Sequence, residues 1–352
     1  IPKVMSIVDK AAPEGWYESQ RNAIRQGIAE KGNWYQLAQK VWELDPGVRK
    51  TFFTNFIVNA SLKGSALQKE TEEKEDCNVP WAILLDPTSA CNLHCTGCWA
   101  AEYGHKLNLS LETIDDIVTQ GKKLGTYMYI YTGGEPMVRK KDIITICERH
   151  PDCEFLSFTN GTLIDEEFCK EVQKLGNLSF SLSLEGFEEV NDLRRGAGVY
   201  EKVLHAMDLL KASGQIFGTS ICYTSKNIET VTSDEFLDMI IEKGCRFTWY
   251  FHYMPVGNDA AVELLPTKEQ REYMYHRVRK IRSTNGGKPI FAMDFQNDGE
   301  YVGGCIAGGR RYLHINAKGD VEPCVFIHYS NCNIHDTTLL DALRSPLFQA
   351  YH

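Results

Sequence analysis

Nowhere in this 352-residue chain does an uninterrupted apolar run approach the roughly 20 residues that a transmembrane helix needs. Positive charge is scarce as well. Lys and Arg number 38 against 47 Asp and Glu, a formal net charge of −9, and no basic stripe gathers to neutralise phosphates, so a nucleic-acid binder is excluded. There is no low-complexity tract and no secretory signal. The chain opens on Ile1 rather than Met and stops abruptly at SPLFQAYH, so a fragment is expected and the missing signal says little about targeting. Cysteine, at 12, is too sparse and scattered for a disulfide scaffold in a chain this long. Cys147, Cys153, Cys169, Cys222 and Cys245 sit singly in apolar or amphipathic segments and read as small buried hydrophobes; a reducing cytoplasm is the expected compartment.

What is present is a regular alternation. Apolar, β-rich runs occur at 81–88 (WAILLDPT), 126–132, 153–160, 178–185, 216–224 and 247–255, and stretches of helical spacing, several closing on glycine, lie between them. Strand–helix repetition implies right-handed βαβ units and a parallel sheet. Six units are too few for a closed eight-stranded barrel. That leaves an α/β fold built as a partial six-strand barrel or an open doubly wound sheet, with ligands gathering where strands end and loops begin. Residues 1–76 read as helical, with the aromatic pairs Trp16–Tyr17 and Trp34–Tyr35, and end in the charge run KETEEKED (69–76), read as a solvated linker. Residues 305–332 are loop-rich, and RYLHIN-AKG-DVEPCVF reads as a β-hairpin. Three regions result: a helical segment 1–76, a βα barrel 77–290 and a small hairpin-containing module 291–352.

Directly after the first expected strand stand Cys91, Cys95 and Cys98, spaced C-x3-C-x2-C. Thiolates are soft ligands that favour zinc or iron–sulfur clusters. Zinc usually takes a second Cys-x2-Cys knuckle, and none lies nearby, although His94 or Cys77 could complete such a site. An iron–sulfur cube takes four cysteines, so three leave one iron open. At the end of the next strand comes YTGGEP, with Gly133, Gly134, Glu135 and Pro136. Its glycines let a backbone approach a ligand closely, and the Glu135 carboxylate can hold an ammonium group. A Gly-Gly turn alone would be only a turn; here it lies on the face that carries the three cysteines.

The cysteine motif followed one βα unit later by GGEP resembles the radical S-adenosylmethionine (SAM) superfamily, with a match running through 81–255. The sequence departs from that pattern where Gly97 precedes the third cysteine in place of an aromatic residue; Trp99, just after it, can cover the cluster. The resemblance implies that SAM chelates the open iron of a [4Fe-4S] cluster through its amino and carboxylate groups. One electron then cleaves SAM to methionine and a 5′-deoxyadenosyl radical, which abstracts hydrogen from an unactivated C–H bond. It further implies an oxygen-sensitive enzyme served by a flavodoxin- or ferredoxin-type electron donor. Gly133, Gly134, Glu135 and Pro136 become the SAM amino-group loop, Ser183 a ribose contact, and Arg194 or Arg195 the partner of the SAM carboxylate, while Glu185 receives no role.

The tail resembles the twitch or SPASM extension, which implies an auxiliary iron–sulfur cluster on Cys305, Cys324 and Cys332, with a missing ligand expected beyond His352. The substrate is open between a peptide, an apolar or lipid-like molecule and another small molecule. Residues 49–64 place Phe52, Phe53, Phe56 and Ile57 on one helical face, which either packs on the barrel or docks peripherally on a membrane. His252, Tyr253 and Asp294 fall near the expected active face. The rival reading is a non-catalytic zinc or iron–sulfur protein with a structural or electron-transfer role, against which GGEP counts, since a structural cluster has no use for an ammonium-binding loop.

Overall fold

Six parallel strands follow one another across the sheet: β1 (Ala82–Leu85), β2 (Met128–Tyr131), β3 (Glu154–Thr159), β4 (Leu178–Ser183), β5 (Phe217–Tyr223) and β6 (Phe247–His252). They are the six apolar runs of the sequence. The computed structural model describes residues 18–257, 260–284 and 286–352, together with Ser6, Asp9, Lys10 and Gly15; Trp16 and Tyr17 lie outside the described residues. The connecting helices have legible ends. Helix Leu111–Leu124 starts where the Ser110 side chain accepts from Thr113 N–H and stops at Gly125, whose φ of 98° suits glycine. Helix Asp234–Lys243 repeats the device with Ser233 and Gly244.

The sheet is longer than six strands. β7 (Phe291–Asp294) continues it beyond β6, and at the opposite end β8 (Tyr312–Ile315) pairs parallel with β1. β9 (Val321–Glu322) then turns back antiparallel on β8, completing the expected hairpin. The order β7-β6-β5-β4-β3-β2-β1-β8-β9 leaves β7 and β9 at opposite edges, so the fold is an open, partial barrel. Helices cover its outer face. Phe168 of helix Glu166–Leu175 meets Phe180 of β4 edge-on, and Tyr131 and Phe155 stack between β2 and β3.

The charge run of 69–76 is not a linker. Helix Pro46–Phe52, a π-helix Phe53–Gly64 and helix Ser65–Glu75 form one continuous rod, ended by Asp76 in the left-handed conformation. The rod lies on the barrel. The buried Asn55 amide donates to the carbonyls of Pro151 and Cys153, and Gln68 donates to the Gly125 carbonyl. Phe52 stacks on Phe56, which meets Trp81 edge-on. Phe52 and Phe56 of the apolar face of 49–64 therefore pack inward on the barrel. No helix among the described residues is long and apolar enough to cross one.

Candidate active site

The loop leaving β1 is fastened before it reaches its first cysteine. Ser89 N–H donates to Leu107 O, Leu109 N–H to Pro87 O, and Ala90 N–H to the Thr88 hydroxyl. The loop after β2 is zipped onto it, with Gly134 N–H donating to Thr88 O and Glu135 N–H to Ala90 O. A Cβ at Gly134 would lie 2.3 Å from Ala90 O and 2.5 Å from Ser89 O. Gly133, at φ 103°, would meet Thr88 O at 2.7 Å. The glycines are therefore required by the cysteine loop itself, and not only by a ligand as their sequence suggested. The loop after β3 joins from the other side: Asn160 donates to the Asn92 side chain, which donates to Thr162.

Glu135 is fully buried and caged. Its Oε1 accepts from Met137 N–H (2.9 Å) and the Thr159 hydroxyl (2.6 Å), and its Oε2 from Asn160 N–H (2.7 Å). Burial pushes its pKa up, and these bonds and Arg195 pull the other way. Glu185, given no role in the sequence reading, proves central. With 0% of its side chain exposed, its Oε1 accepts from Arg194 (2.6 Å) and from Arg195 Nε (3.0 Å). Arg194 is stitched to the cysteine loop through Thr96, backbone to backbone and side chain to carbonyl. Arg195 reaches within 3.9 Å of Cys95 Sγ. The two guanidiniums, held together by one carboxylate, put positive charge beside Cys95, suited to an anionic ligand.

Cys91, Cys95 and Cys98 line one cavity of about 210 Å³ together with Gly133, Gly134, Glu135, Ser183, Arg194 and Arg195. Pro136, buried, opens the short helical turn behind Glu135. Burial pushes the Cys91 thiol up to about 11 and raises Cys95. Among the described residues no three His, Cys, Asp or Glu side chains converge as ligands of a single metal ion; Cys77 is in the core and His94 lies beside His105. Three thiols around a cavity fit a cluster with one open iron better than a zinc ion.

The remaining walls are largely apolar: Trp99, Phe158, Phe251, Val325 and Phe326. His252 and Tyr253 line the cavity, whereas the Asp294 carboxylate is occupied by Asn297. Burial lowers the His252 pKa to about 4, so it is neutral; its Nε2 lies 2.8 Å from Met254 Sδ. The Tyr253 ring fills the space over Gly97, where an added Cβ would meet its hydroxyl at 2.5 Å. The aromatic cover expected from Trp99 is thus shared by a residue distant in sequence. Cys222, read as a plain hydrophobe, also faces this cavity.

In the tail, the Tyr312 hydroxyl donates to Cys324 Sγ at 2.8 Å, and Cys305 is close enough to raise the pKa of both groups. Cys332 is engaged differently, its thiol 3.4 Å from Asn331 Oδ1 and its carbonyl accepting from Val321 N–H. A buried ion triad joins this region to the barrel. His314 Nδ1 lies 2.7 Å from Glu322 Oε2, and its Nε2 is 3.0 Å from Asp86 Oδ2, the latter an ion-pair contact without hydrogen-bond alignment. Burial opposes the imidazolium, but Asp86 and Glu322 outweigh it and push the pKa up to about 9. Of the residues missed in the sequence, Thr159 and Asn160 had a signal, a polar TNGT cluster at a strand end. Glu185 and the triad had none, because their roles arise from partners that the local pattern does not point to.

Residues 85–241 match the Radical SAM superfamily. The Fe-coproporphyrin III synthase of Methanosarcina barkeri is 25% identical over 234 residues, covering 62% of this chain and 57% of that protein. The PqqA peptide cyclase of Granulibacter bethesdensis is 27% identical over 260 residues, covering 70% and 67%. The chain thus spans less than two thirds of the first relative's length. In fold it is similar to SuiB of Streptococcus suis, solved with S-adenosylmethionine, at a TM-score of 0.66 and 18% identity over 82% of this chain and 72% of that one; SuiB has also been solved with its precursor peptide SuiA. Residues 85–241 thus carry the chain's similarity to the Radical SAM superfamily, whose members are enzymes that use a [4Fe-4S] cluster and SAM.

Proposed function

We propose that Cys91, Cys95 and Cys98 hold the iron–sulfur cluster at this cavity and that SAM binds above it. The observation that carries this reading is the backbone zipper joining the cysteine loop to the Gly133–Gly134–Glu135 loop, which brings three thiols and a caged carboxylate to one cavity. When bound, the cluster supplies the electron that cleaves SAM to methionine and a 5′-deoxyadenosyl radical. The chain's own part is positional. Glu135 orients the SAM amino group, Ser183 contacts the ribose, and Arg194 and Arg195 attract the carboxylate while Glu185 fixes their reach. Trp99, Tyr253, Phe158 and Phe251 exclude water from the radical. Electron paramagnetic resonance of the reduced protein tests this directly. SAM should change the cluster signal, and an unchanged spectrum at saturating SAM would refute contact between the two.

The substrate we favour is a peptide presenting an apolar side chain. The similar proteins include ones named or solved for peptides, PqqA and SuiA, and ones named for coproporphyrin and heme synthesis. The only cavity-lining arginines or lysines among the described residues, Arg194 and Arg195, are assigned to the SAM carboxylate, which leaves no further one for the carboxylates of a porphyrin. Addition of iron-coproporphyrin III should leave its absorption spectrum unshifted; a saturable Soret shift would favour the porphyrin reading. Cys305 and Cys324 would contribute to a SPASM-type auxiliary cluster. Two thiols are fewer than the four a cube takes, so no chemical step is assigned to it. A flavodoxin- or ferredoxin-type donor completes the proposal.

A further inference from the structure

One wall of the cavity does not belong to the βα units. Val325 and Phe326 come from the chain just beyond β9, and Phe326 lies 6.4 Å from Trp99, ring to ring. The strands that carry this wall are short: β8 has four residues and β9 two. Directly behind it stands the triad of Asp86, His314 and Glu322, with 1%, 0% and 3% exposure. Asp86 follows β1 and begins the stem of the cysteine loop, His314 is on β8, and Glu322 is on β9, two residues before Cys324.

The outer oxygens of both acids are held by neighbouring side chains, while Asp86 Oδ2 and His314 Nε2 have only their ion-pair contact with each other. Thr132, itself on the cavity wall, donates to Asp86 Oδ1 at 2.7 Å. Asn316 donates to Glu322 Oε1 at 3.0 Å, and the Tyr103 hydroxyl to Glu322 at 3.1 Å. Trp99 meets the His314 ring edge-on at 5.9 Å. Apolar side chains would join two strands at least as firmly as buried charges, because desolvation offsets most of an ion pair's attraction. What a cation between two carboxylates adds is a specified geometry. Only one placement of β8 and β9 puts the imidazole between both acids, whereas apolar contacts tolerate sliding.

We propose that His314 is a positioning residue, a buried cation that seats the wall beyond β9 against the stem of the cysteine loop and so closes the cavity on that side. The consequence for chemistry rests on the reading above that this cavity is the reaction site; the seating itself does not. Removing the cation leaves two carboxylates facing each other across a dry joint, and the wall lifts. Neutralising all three groups removes the conflict and lets the wall return.

Hydrogen exchange followed by mass spectrometry on the reconstituted full chain tests this. In His314→Gln, amides of residues 312–326 should exchange at least tenfold faster than in the wild type, with β3, β4 and β5 unchanged. In the triple variant Asp86→Asn, His314→Gln, Glu322→Gln, exchange should fall back toward wild type. Unchanged exchange in His314→Gln would overturn the proposal. So would a triple variant as fast as the single one, which would mean that imidazole shape alone matters. If His314→Gln also exposes β3 to β5, Glu322→Gln, which keeps the Asp86–His314 pair, takes its place and must accelerate 312–326 alone; otherwise the proposal fails. The reaction-site reading is judged separately, by whether wild-type protein makes 5′-deoxyadenosine at all.

Discussion

Gly134 shows how much one hydrogen atom decides. The Ala90 carbonyl stands 2.3 Å from where its Cβ would be, so Gly134→Val must push the cysteine loop away. Reconstituted Gly134→Val should therefore lose both iron and SAM binding. Normal iron content with only SAM binding weakened would show that the glycine serves the ligand and not the loop. Glu185 works by charge. Glu185→Gln leaves two guanidiniums, each less than 15% exposed, without their anion. Breaking a buried pair in this way costs about 3–5 kcal/mol, to be measured by denaturant unfolding. A loss below about 1 kcal/mol would mean that the arginines find other partners. The cysteines and GGEP were legible because chemistry that needs adjacent residues leaves its mark in spacing. Glu185 was not, since its neighbours in sequence say nothing of two arginines folding back from the following helix.

At the scale of elements, the β8–β9 hairpin carries a pH dependence with a definite sign. His314 is raised to about 9 from an ordinary value near 6.5. The folded state thus binds a proton more tightly than the unfolded one, and the stabilisation is complete below about pH 6.5 and lost as pH rises through about 9. The thermal midpoint of the wild type should therefore fall between about pH 6.5 and pH 9 more steeply than that of the triple variant neutral at 86, 314 and 322. Parallel curves would contradict a charged His314. The six strands of the barrel and the hairpin could be read from periodicity and turn residues. The rod of 46–75 could not, because a charge run looks alike in a linker and on the solvent face of a helix. Asn55, Asn59 and Gln68 bond the rod to the barrel backbone, and they resemble surface residues in sequence. β7 escaped notice for another reason: four residues, FAMD, are too few to show alternation.

For the whole molecule, the sheet gathers onto one face groups that lie far apart in the chain. β8 returns from the tail to lie beside β1, bringing His314 to Asp86 and Phe326 to Trp99. A parallel pairing between the first and eighth strands has no local signature, so the triad could not be foreseen. The tail's metal content is open to a separate test. Joint replacement of Cys305 and Cys324 by Ala should lower iron while leaving SAM cleavage intact, and equal iron counts would remove the auxiliary cluster from the account. The central claim is tested most directly by measuring iron and 5′-deoxyadenosine together in wild-type protein and Cys98→Ala, both reconstituted anaerobically and then given reductant and SAM. Wild type should hold at least about four irons per chain and release 5′-deoxyadenosine, and Cys98→Ala should lose that cluster and the product with it. Product formed by Cys98→Ala at the wild-type rate, or none from iron-loaded wild type, would contradict a cluster on Cys91, Cys95 and Cys98 as the seat of the reaction.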